Sequence, residues 1–194
     1  MNAHFRPGRG ELAHLERVSV DRSFHQILRS LEAIGAAGAA LAVIRERVPD
    51  REPEPAVFDA VVRLLSALNE GGPPEEGLLS LQIRTLALLG FTPTLDRCVR
   101  CGKVPAPGRS ASFDAARGGI VCRACGGGRL VLSAAALRRW VTVQASSEFP
   151  EQAWPGPERQ EIRDALAELD ANHATVSVRA RTAAASGSWE GRPS

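Results

Sequence analysis

The residues best suited to chemistry are the four cysteines, which form two CxxC pairs: Cys98 with Cys101, and Cys122 with Cys125. A CxxC turn places two thiolates on one side of the backbone, and folding the intervening loop can bring two pairs together as a tetrahedron. Twenty residues, 102–121, separate the pairs, a spacing typical of zinc sites. In a reducing compartment such pairs favour metal over disulfides. We therefore predict one bound zinc ion, with a rubredoxin-like iron site and a redox dithiol as alternatives.

A site made of four thiolates has a structural role, because it leaves no coordination position open for a water molecule or a substrate. The four histidines are scattered and none has ligand spacing to a cysteine or to another histidine: His4, His14, His25 and His173. No pairing of a nucleophile with a base rises above chance along the chain. The sequence therefore predicts that this protein is not an enzyme.

Positive charge is concentrated around the cysteines. Residues 95–140 contain nine basic residues and two acidic ones, a net charge of +7 in a chain whose total is +2. The basic residues are Arg97, Arg100, Lys103, Arg109, Arg117, Arg123, Arg129, Arg138 and Arg139. A polyanion or an acidic peptide is the natural partner of such a segment, and a solvated surface is the alternative.

The remaining elements are mostly helices. A capping box at Ser23 and Gln26 begins a first helix that runs to about residue 44, with an apolar stripe expected in the core. That stripe comprises Phe24, Ile27, Leu28, Leu31, Ile34, Leu41 and Ile44. A second helix carries apolar residues from Val57 to Leu68, and further helices are predicted at 75–90, 133–144 and 159–173. The helix at 75–90 is apolar almost all round, so we expect it to be central and buried.

Other segments complete the predicted architecture. Residues 11–20 have the mixture of apolar and polar residues of a strand, and two short strands are expected within the cysteine loop, at "ASFD" and "GIVC". The low-complexity residues 183–194 are predicted to be disordered. The fold class is mainly α: a small helical bundle carrying an inserted four-cysteine zinc module over residues 95–130. The apolar run at 34–44 is too short to span a membrane, and the N-terminus has no signal-peptide core, so we expect a cytoplasmic protein.

Two stretches of the sequence resemble the bacterial RecO family of recombination mediators: "LALLGFTPTLDRCVRCGK" (86–103) and "FDAARGGIVCRAC" (113–125). The matching positions are Leu88, Leu89, Gly90, Phe91, Pro93, Leu95, Asp96, Cys98, Cys101, Gly118, Gly119, Cys122 and Cys125. Nearer the C-terminus, "SVRAR" (177–181) is similar to the family's closing basic element, with Arg179 and Arg181 at its basic positions.

The resemblance implies a fold with an N-terminal OB-fold, a helical domain and a zinc module. Residues 1–22 would then be the remnant of the OB-fold, containing its last strand, with most of that barrel missing. Residues 23–182 would be the helical domain with its zinc module.

The resemblance also implies a role in DNA repair. Members bind single- and double-stranded DNA, anneal strands, contact the C-terminal tail of single-strand-binding protein and, with RecR, help load RecA; the expected location is the cytoplasm, at the nucleoid. The candidate DNA- or partner-binding residues are Arg97, Arg100, Lys103, Arg117, Arg123, Arg138, Arg139, Arg179 and Arg181. For the protein tail we favour Arg138 and Arg139, beside Leu137 and Trp140.

Two other functions fit the cysteine pairs alone. A zinc-ribbon transcription or ribosome-associated factor would use the same turns and basic loop. A thiol oxidoreductase would need an acidic, exposed cysteine. The helix-to-turn junction "LLGFTPTLDRC" favours the RecO-like function over both.

Overall fold

The computed structural model describes residues 2–8, 13–48 and 53–186, and these ranges are mostly helical. The strands are β1 (Asn2–Pro7), β2 (Ala13–Ser19), β3 (Ala111–Asp114), β4 (Gly119–Ile120) and β5 (Leu130–Leu132). The α-helices are α1 (Leu31–Arg47), α2 (Pro55–Asn69), α3 (Pro74–Leu88), α4 (Ala134–Ala145) and α5 (Gly156–Ser186). Short 3₁₀ helices lie at His25–Arg29, Ala115–Arg117 and Arg123–Cys125.

Helix α3 lies at the centre, as its all-round apolar sequence predicts. It contacts α1 and α2 on one side and α4 and α5 on the other. Leu81 belongs to the apolar core shared with α1 and α2, whereas Ile83 and Leu86 belong to the core shared with α4 and α5. One helix therefore supplies side chains to both cores and joins the two halves of the molecule.

The prediction that the apolar stripe of the first helix lies in the core was correct for only part of the stripe: Ile27 is buried, and Phe24 and Ile44 pack against the same core. Several of its members are largely exposed, with Leu28 at 73%, Leu31 at 80% and Leu41 at 51%, and the buried face of α1 consists of alanines. Those alanines are Ala33, Ala36 and Ala40. Small side chains let α1 lie close to α2 and α3, so the bulkier residues are left on the outer side.

The first helix also begins later than expected. Residues 25–29 form a 3₁₀ turn, and the N-cap of α1 is Ser30, whose hydroxyl oxygen accepts the Ala33 N–H at 3.2 Å. The predicted capping box does not form, because the Gln26 backbone N–H donates to the Asn69 Oδ1 atom at 3.0 Å. The local sequence pattern could not predict this contact, because Asn69 lies at the end of α2, far along the chain from Gln26.

The sheet of the cysteine module packs into the hydrophobic core that α3, α4 and α5 share. β3 pairs antiparallel with both β4 and β5, and the sheet order is β4-β3-β5. The strands predicted at "ASFD" and "GIVC" are confirmed as β3 and β4, whereas β5 was not predicted. Phe113 of β3 is completely buried, with its ring centroid 6.3 Å from that of Trp140 in α4. The module is therefore integrated into the helical bundle by apolar packing.

Two buried charged residues link α3 to the segment that joins α4 to α5. The Arg84 guanidinium donates to the Val143 and Ser147 carbonyls at 3.3 and 3.1 Å and also to the Glu148 carbonyl. Burial lowers the pKa of Arg84 from its ordinary value. The Glu76 carboxylate accepts from the Trp154 N–H at 3.1 Å and from Arg159 at 2.8 Å. Both buried charges therefore have partners, as their location requires.

The N-terminal residues form a hairpin. β2 confirms the predicted strand over 13–19, and it pairs antiparallel with β1, a strand that the sequence pattern did not predict. Its larger apolar side chains are exposed, including Phe5 at 61% and Leu15 at 56%. The assignment of this hairpin to an OB-fold, and the division at residues 22 and 182, stay predictions.

The C-terminal helix is longer than predicted. α5 continues to Ser186, past residue 183, where the low-complexity tail begins, and the disorder of that tail stays a prediction. Residues 187–194 lie outside the described ranges. None of the helices in the described part of the chain combines the length and the hydropathy that crossing a bilayer requires.

Candidate metal centre and basic surface

The two CxxC turns bring all four cysteine sulfurs together. The Sγ atoms of Cys98, Cys101, Cys122 and Cys125 all lie within 4.8 Å of one another. The Cys101 and Cys122 sulfurs are 3.7 Å apart. A tetrahedral ion with zinc–sulfur bonds of about 2.3 Å separates its ligand sulfurs by about 3.8 Å. The cluster therefore has the donor set and the size of a four-thiolate metal site, and it could bind a metal ion.

Backbone hydrogen bonds shape each turn. In the first, the Cys98 N–H donates to the Lys103 carbonyl and the Gly102 N–H to the Cys98 carbonyl, both at 2.9 Å. In the second, the Cys125 N–H donates to the Cys122 carbonyl at 2.9 Å. Gly102 has φ of 73° and Gly126, after the second turn, has φ of 101°. This left-handed conformation is accessible to glycine without steric cost, which explains why glycine follows each CxxC pair.

Contacts between the segments hold the two turns together. The Ile120 N–H donates to the Thr94 carbonyl at 2.9 Å, and the Val99 N–H donates to the Ile120 carbonyl at 3.0 Å. Gly119 lies so close to this segment that a Cβ atom on it would clash with the Thr94 carbonyl and lie 2.9 Å from Val99 Cγ1. The Arg100 guanidinium also reaches across, donating to the Cys125 carbonyl at 3.2 Å.

The environment favours negative charge on the sulfur of Cys98. Cys98 is 2% exposed, and its sulfur accepts the Cys122 N–H at 3.3 Å. This backbone hydrogen bond is the main cause that lowers the pKa of Cys98 to about 6. Hydrogen bonds with the sulfurs of Cys122 and Cys101 raise the pKa of Cys125 to about 12. A cation would be needed for all four sulfurs to be thiolates together.

Most of the predicted basic residues lie on the surface of this module and its neighbouring helix. The exposed ones are Arg97, Arg100, Lys103, Arg109, Arg117, Arg123, Arg129 and Arg138. Two of them pair with nearby acids: Arg97 with Asp96 at 2.7 Å and Arg117 with Asp114 at 3.4 Å. Arg179 and Arg181 lie in the last part of α5, where the structure describes the backbone alone.

The two arginines predicted to bind a protein tail differ from each other. Arg138 is exposed, whereas Arg139 pairs with Glu158 at 3.4 Å and lies 5.5 Å from the ring centroid of Trp154. Trp140 is 1% exposed and belongs to the core, so it cannot line a surface pocket. The apolar residue exposed one turn from Arg138 is Val141. The sequence pattern alone could not reveal these contacts with α5.

A groove of about 880 Å³ runs beside the metal centre and includes Cys98 and Cys122 in its lining. Its cationic residues are Lys103, Arg109 and Arg123. Arg109 belongs to the basic segment 95–140 but is not among the candidate binding residues predicted from the sequence. Its position in the glycine- and proline-containing loop "KVPAPGR", which connects the first turn to β3, could have indicated that it lies at the surface beside the cysteines.

The chain matches the family model described as "Recombination protein O C terminal" over residues 28–182. It is 32% identical to the DNA repair protein RecO of Anaeromyxobacter sp. (strain Fw109-5), covering 92% of this chain and 72% of that protein. It is also 32% identical to the RecO of Anaeromyxobacter sp. (strain K), covering 88% and 69%. The RecO of Myxococcus xanthus is 34% identical over 65% of this chain and 51% of that protein. The chain therefore belongs to the RecO family.

Proposed function

We propose that this protein is a non-catalytic mediator of DNA repair that binds single- and double-stranded DNA around a structural zinc ion. With RecR it would assist RecA loading and strand annealing, and it would contact the C-terminal tail of single-strand-binding protein. The observation that carries the proposal is the four-sulfur cluster surrounded by exposed arginines in a RecO-family fold. A cytoplasmic location at the nucleoid follows from the same proposal.

Zinc is the ion that fits the cluster best. Four cysteine sulfurs form the donor set of structural zinc sites, and the 3.7 Å separation of two of them is close to the edge of such a tetrahedron. Bound zinc would fix the two turns and hence the loop between them, and this type of site contributes on the order of 10 kcal/mol to folding. Elemental analysis of freshly purified, reduced protein should find one zinc ion per chain. A content below about half an ion would contradict the assignment.

DNA binding is supported by the charge of the metal module. Exposed cations attract phosphates and release condensed counterions, so affinity for both single strands and duplexes should decrease steeply with salt. The direct test has two parts: anisotropy titrations of labelled oligonucleotides with the whole chain, and an annealing assay with complementary strands. Faster annealing than the spontaneous reaction supports the mediator role. Absence of DNA binding at low salt would contradict it.

The proposed contact with the tail of single-strand-binding protein centres on Arg138. That tail combines acidic residues with an apolar end, and Arg138 lies one helical turn from the exposed Val141. Arg138→Glu should weaken binding of a tail peptide about tenfold, measured by anisotropy, because a charge contact is replaced by repulsion. The matched control is Arg29→Glu, which reverses an exposed charge distant in sequence. Equal affinities of the two variants would place the contact elsewhere.

A further inference from the structure

We infer that the groove beside the metal centre is the track along which this protein holds the phosphate backbone of a nucleic acid. The inference rests on the proposed DNA-binding function and assigns it to a particular site. The groove lies between the loop after the first CxxC turn and the sheet, with Val131 of β5 and Ser112 of β3 in its lining. Its volume of about 880 Å³ is large enough for an extended chain rather than for one small anion.

The groove contains cations and no carboxylate, and a divalent ion would offset part of the thiolate charge of Cys98 and Cys122 in its lining. Among the described residues that line it are three cations, Lys103, Arg109 and Arg123, and no acidic residue. All three are exposed. A second groove of similar volume, about 910 Å³, provides the contrast: it combines two arginines with three glutamates, Glu70, Glu148 and Glu151. Of these two grooves, the one beside the metal centre has cations without opposing carboxylates, which is the arrangement that attracts a polyanion.

The surroundings favour a long polyanion over a short acidic peptide. Positive charge continues beyond the groove to Arg100 and Arg129, and Arg129 lies just before β5. A peptide with a few acidic residues would be neutralised within the groove, whereas a nucleic acid presents phosphates along its full length. The small residues in the lining, such as Gly108 and Ala111, allow a sugar–phosphate chain to approach the protein backbone closely.

The lining also predicts how the nucleic acid is recognised. No aromatic side chain is among the described residues of the groove, so bases cannot stack there. Base stacking contributes about 1–3 kcal/mol per base in proteins that use it. Binding in this groove should therefore depend on phosphates alone, be indifferent to sequence, and follow the salt dependence of counterion release.

The metal centre determines the shape of the groove. Cys98 and Cys122 lie in its lining, and the loop that carries Lys103 starts at the hydrogen bond between the Cys98 N–H and the Lys103 carbonyl. Arg123 lies inside the second CxxC pair. Two of the three cations are thus fixed by the metal-binding turns themselves, and they should lose their spacing when the ion is removed.

The test compares two triple variants of the whole chain. One carries Lys103→Gln, Arg109→Gln and Arg123→Gln, and the matched control carries Arg17→Gln, Arg29→Gln and Arg45→Gln, three exposed arginines outside the module. Affinity for a labelled single strand is measured by anisotropy from about 50 to about 200 mM salt, with metal content measured in parallel. For the groove variant, the negative slope of log affinity against log salt should be shallower by about 2. Its affinity at about 0.1 M salt should be lower by on the order of a hundredfold.

The outcomes separate the inference from the proposed function. A large loss in the groove variant, with full metal content and a nearly unchanged control, supports the inference. Equal losses in both variants, or none in either, overturn it while leaving DNA binding by the unaltered chain intact. Loss of affinity for a polyglutamate peptide with DNA binding retained would also overturn it and assign the groove to a protein partner. Failure of the unaltered chain to bind DNA would overturn the proposed function itself.

Discussion

At the scale of single residues, the metal centre depends on backbone positions as much as on its sulfurs. Gly119 lies against the Thr94 backbone, where the segment before the first CxxC turn meets the strand before the second. In the proposed site the thiolates would supply the bonds to the ion, and this contact would set the distance between the two pairs. Replacing Gly119 should therefore weaken metal binding without removing a ligand.

We expect Gly119→Ala to destabilise the module by about 1–3 kcal/mol, because the new methyl group must displace packed backbone. Zinc should transfer to a chelator faster from this variant than from the unaltered protein, and the transfer rate can be measured with a colorimetric indicator. Gly38→Ala is the control, since no described atom lies within 4 Å of the position of its Cβ. Equal transfer rates in the two variants would show that the contact at Gly119 is unimportant.

Acid should release the ion. The ligands must be thiolates, so protons compete with the metal, and affinity must decrease as pH falls. Zinc release measured across a pH series should increase steadily below neutral pH and reverse when the pH is restored. Cys98→Ser should release zinc at a higher pH than the unaltered protein, because three thiolates bind more weakly than four. A zinc content independent of pH and of this substitution would contradict a cysteine site.

At the scale of elements, α1 is unusual because its buried side chains are small and its large apolar side chains are exposed. Gly35 and Gly38 lie on its exposed side, with no described atom near the position of a Cβ. Glycine in a helix interior is less favourable than alanine by roughly 0.5–1 kcal/mol. Gly38→Ala should therefore raise the free energy of unfolding by about that amount in urea titrations. A decrease would show that another segment packs against α1 at this position.

Arg84 links α3 to the end of α4 through three carbonyl groups. Replacing it by Met keeps much of the side-chain volume but leaves those carbonyls unpaired, so we expect a loss of about 2–4 kcal/mol in the free energy of unfolding. Arg63→Met, at an exposed position on α2, is the control and should change stability by less than about 0.5 kcal/mol. A similar small change in both variants would show that the Arg84 contacts do not stabilise the fold.

The elements also show what sequence patterns could and could not predict. The clustering of the two CxxC turns and the central position of α3 were predictable, because the first depends on local spacing and the second on a segment that is apolar all round. The buried face of α1 was not, because its leucines and its alanines both recur at helical spacing, and only the neighbouring helices decide which face is covered. The pairing of Arg139 with Glu158 likewise depends on how α5 packs against α4.

At the scale of the whole molecule, the helical bundle and the cysteine module share one hydrophobic core. Phe113, Ile120 and Leu132 of the module's sheet lie in the same core as α3, α4 and α5. The module is therefore anchored by apolar packing, and its two turns carry exposed cations. Loss of the ion should disorder the turns while leaving the helical bundle folded.

The helical circular dichroism of the chain should accordingly change little on zinc removal, whereas protease cleavage within residues 95–130 should become faster. Packing of the two apolar cores holds the helices together independently of the ion. The cleavage sites can be identified by mass spectrometry after limited digestion. Collapse of the helical signal on chelation would show instead that the whole fold depends on the metal.

We expect a bound metal ion to organise the surface that we propose for DNA binding in this RecO-family protein. The most direct measurement is a titration of zinc into metal-free, reduced protein at moderate salt, with DNA binding followed by fluorescence anisotropy of a labelled single strand. We predict that binding is weak without zinc, rises with each addition and saturates at one equivalent per chain. Full DNA binding in the absence of zinc would show that the ion does not organise the DNA-binding surface.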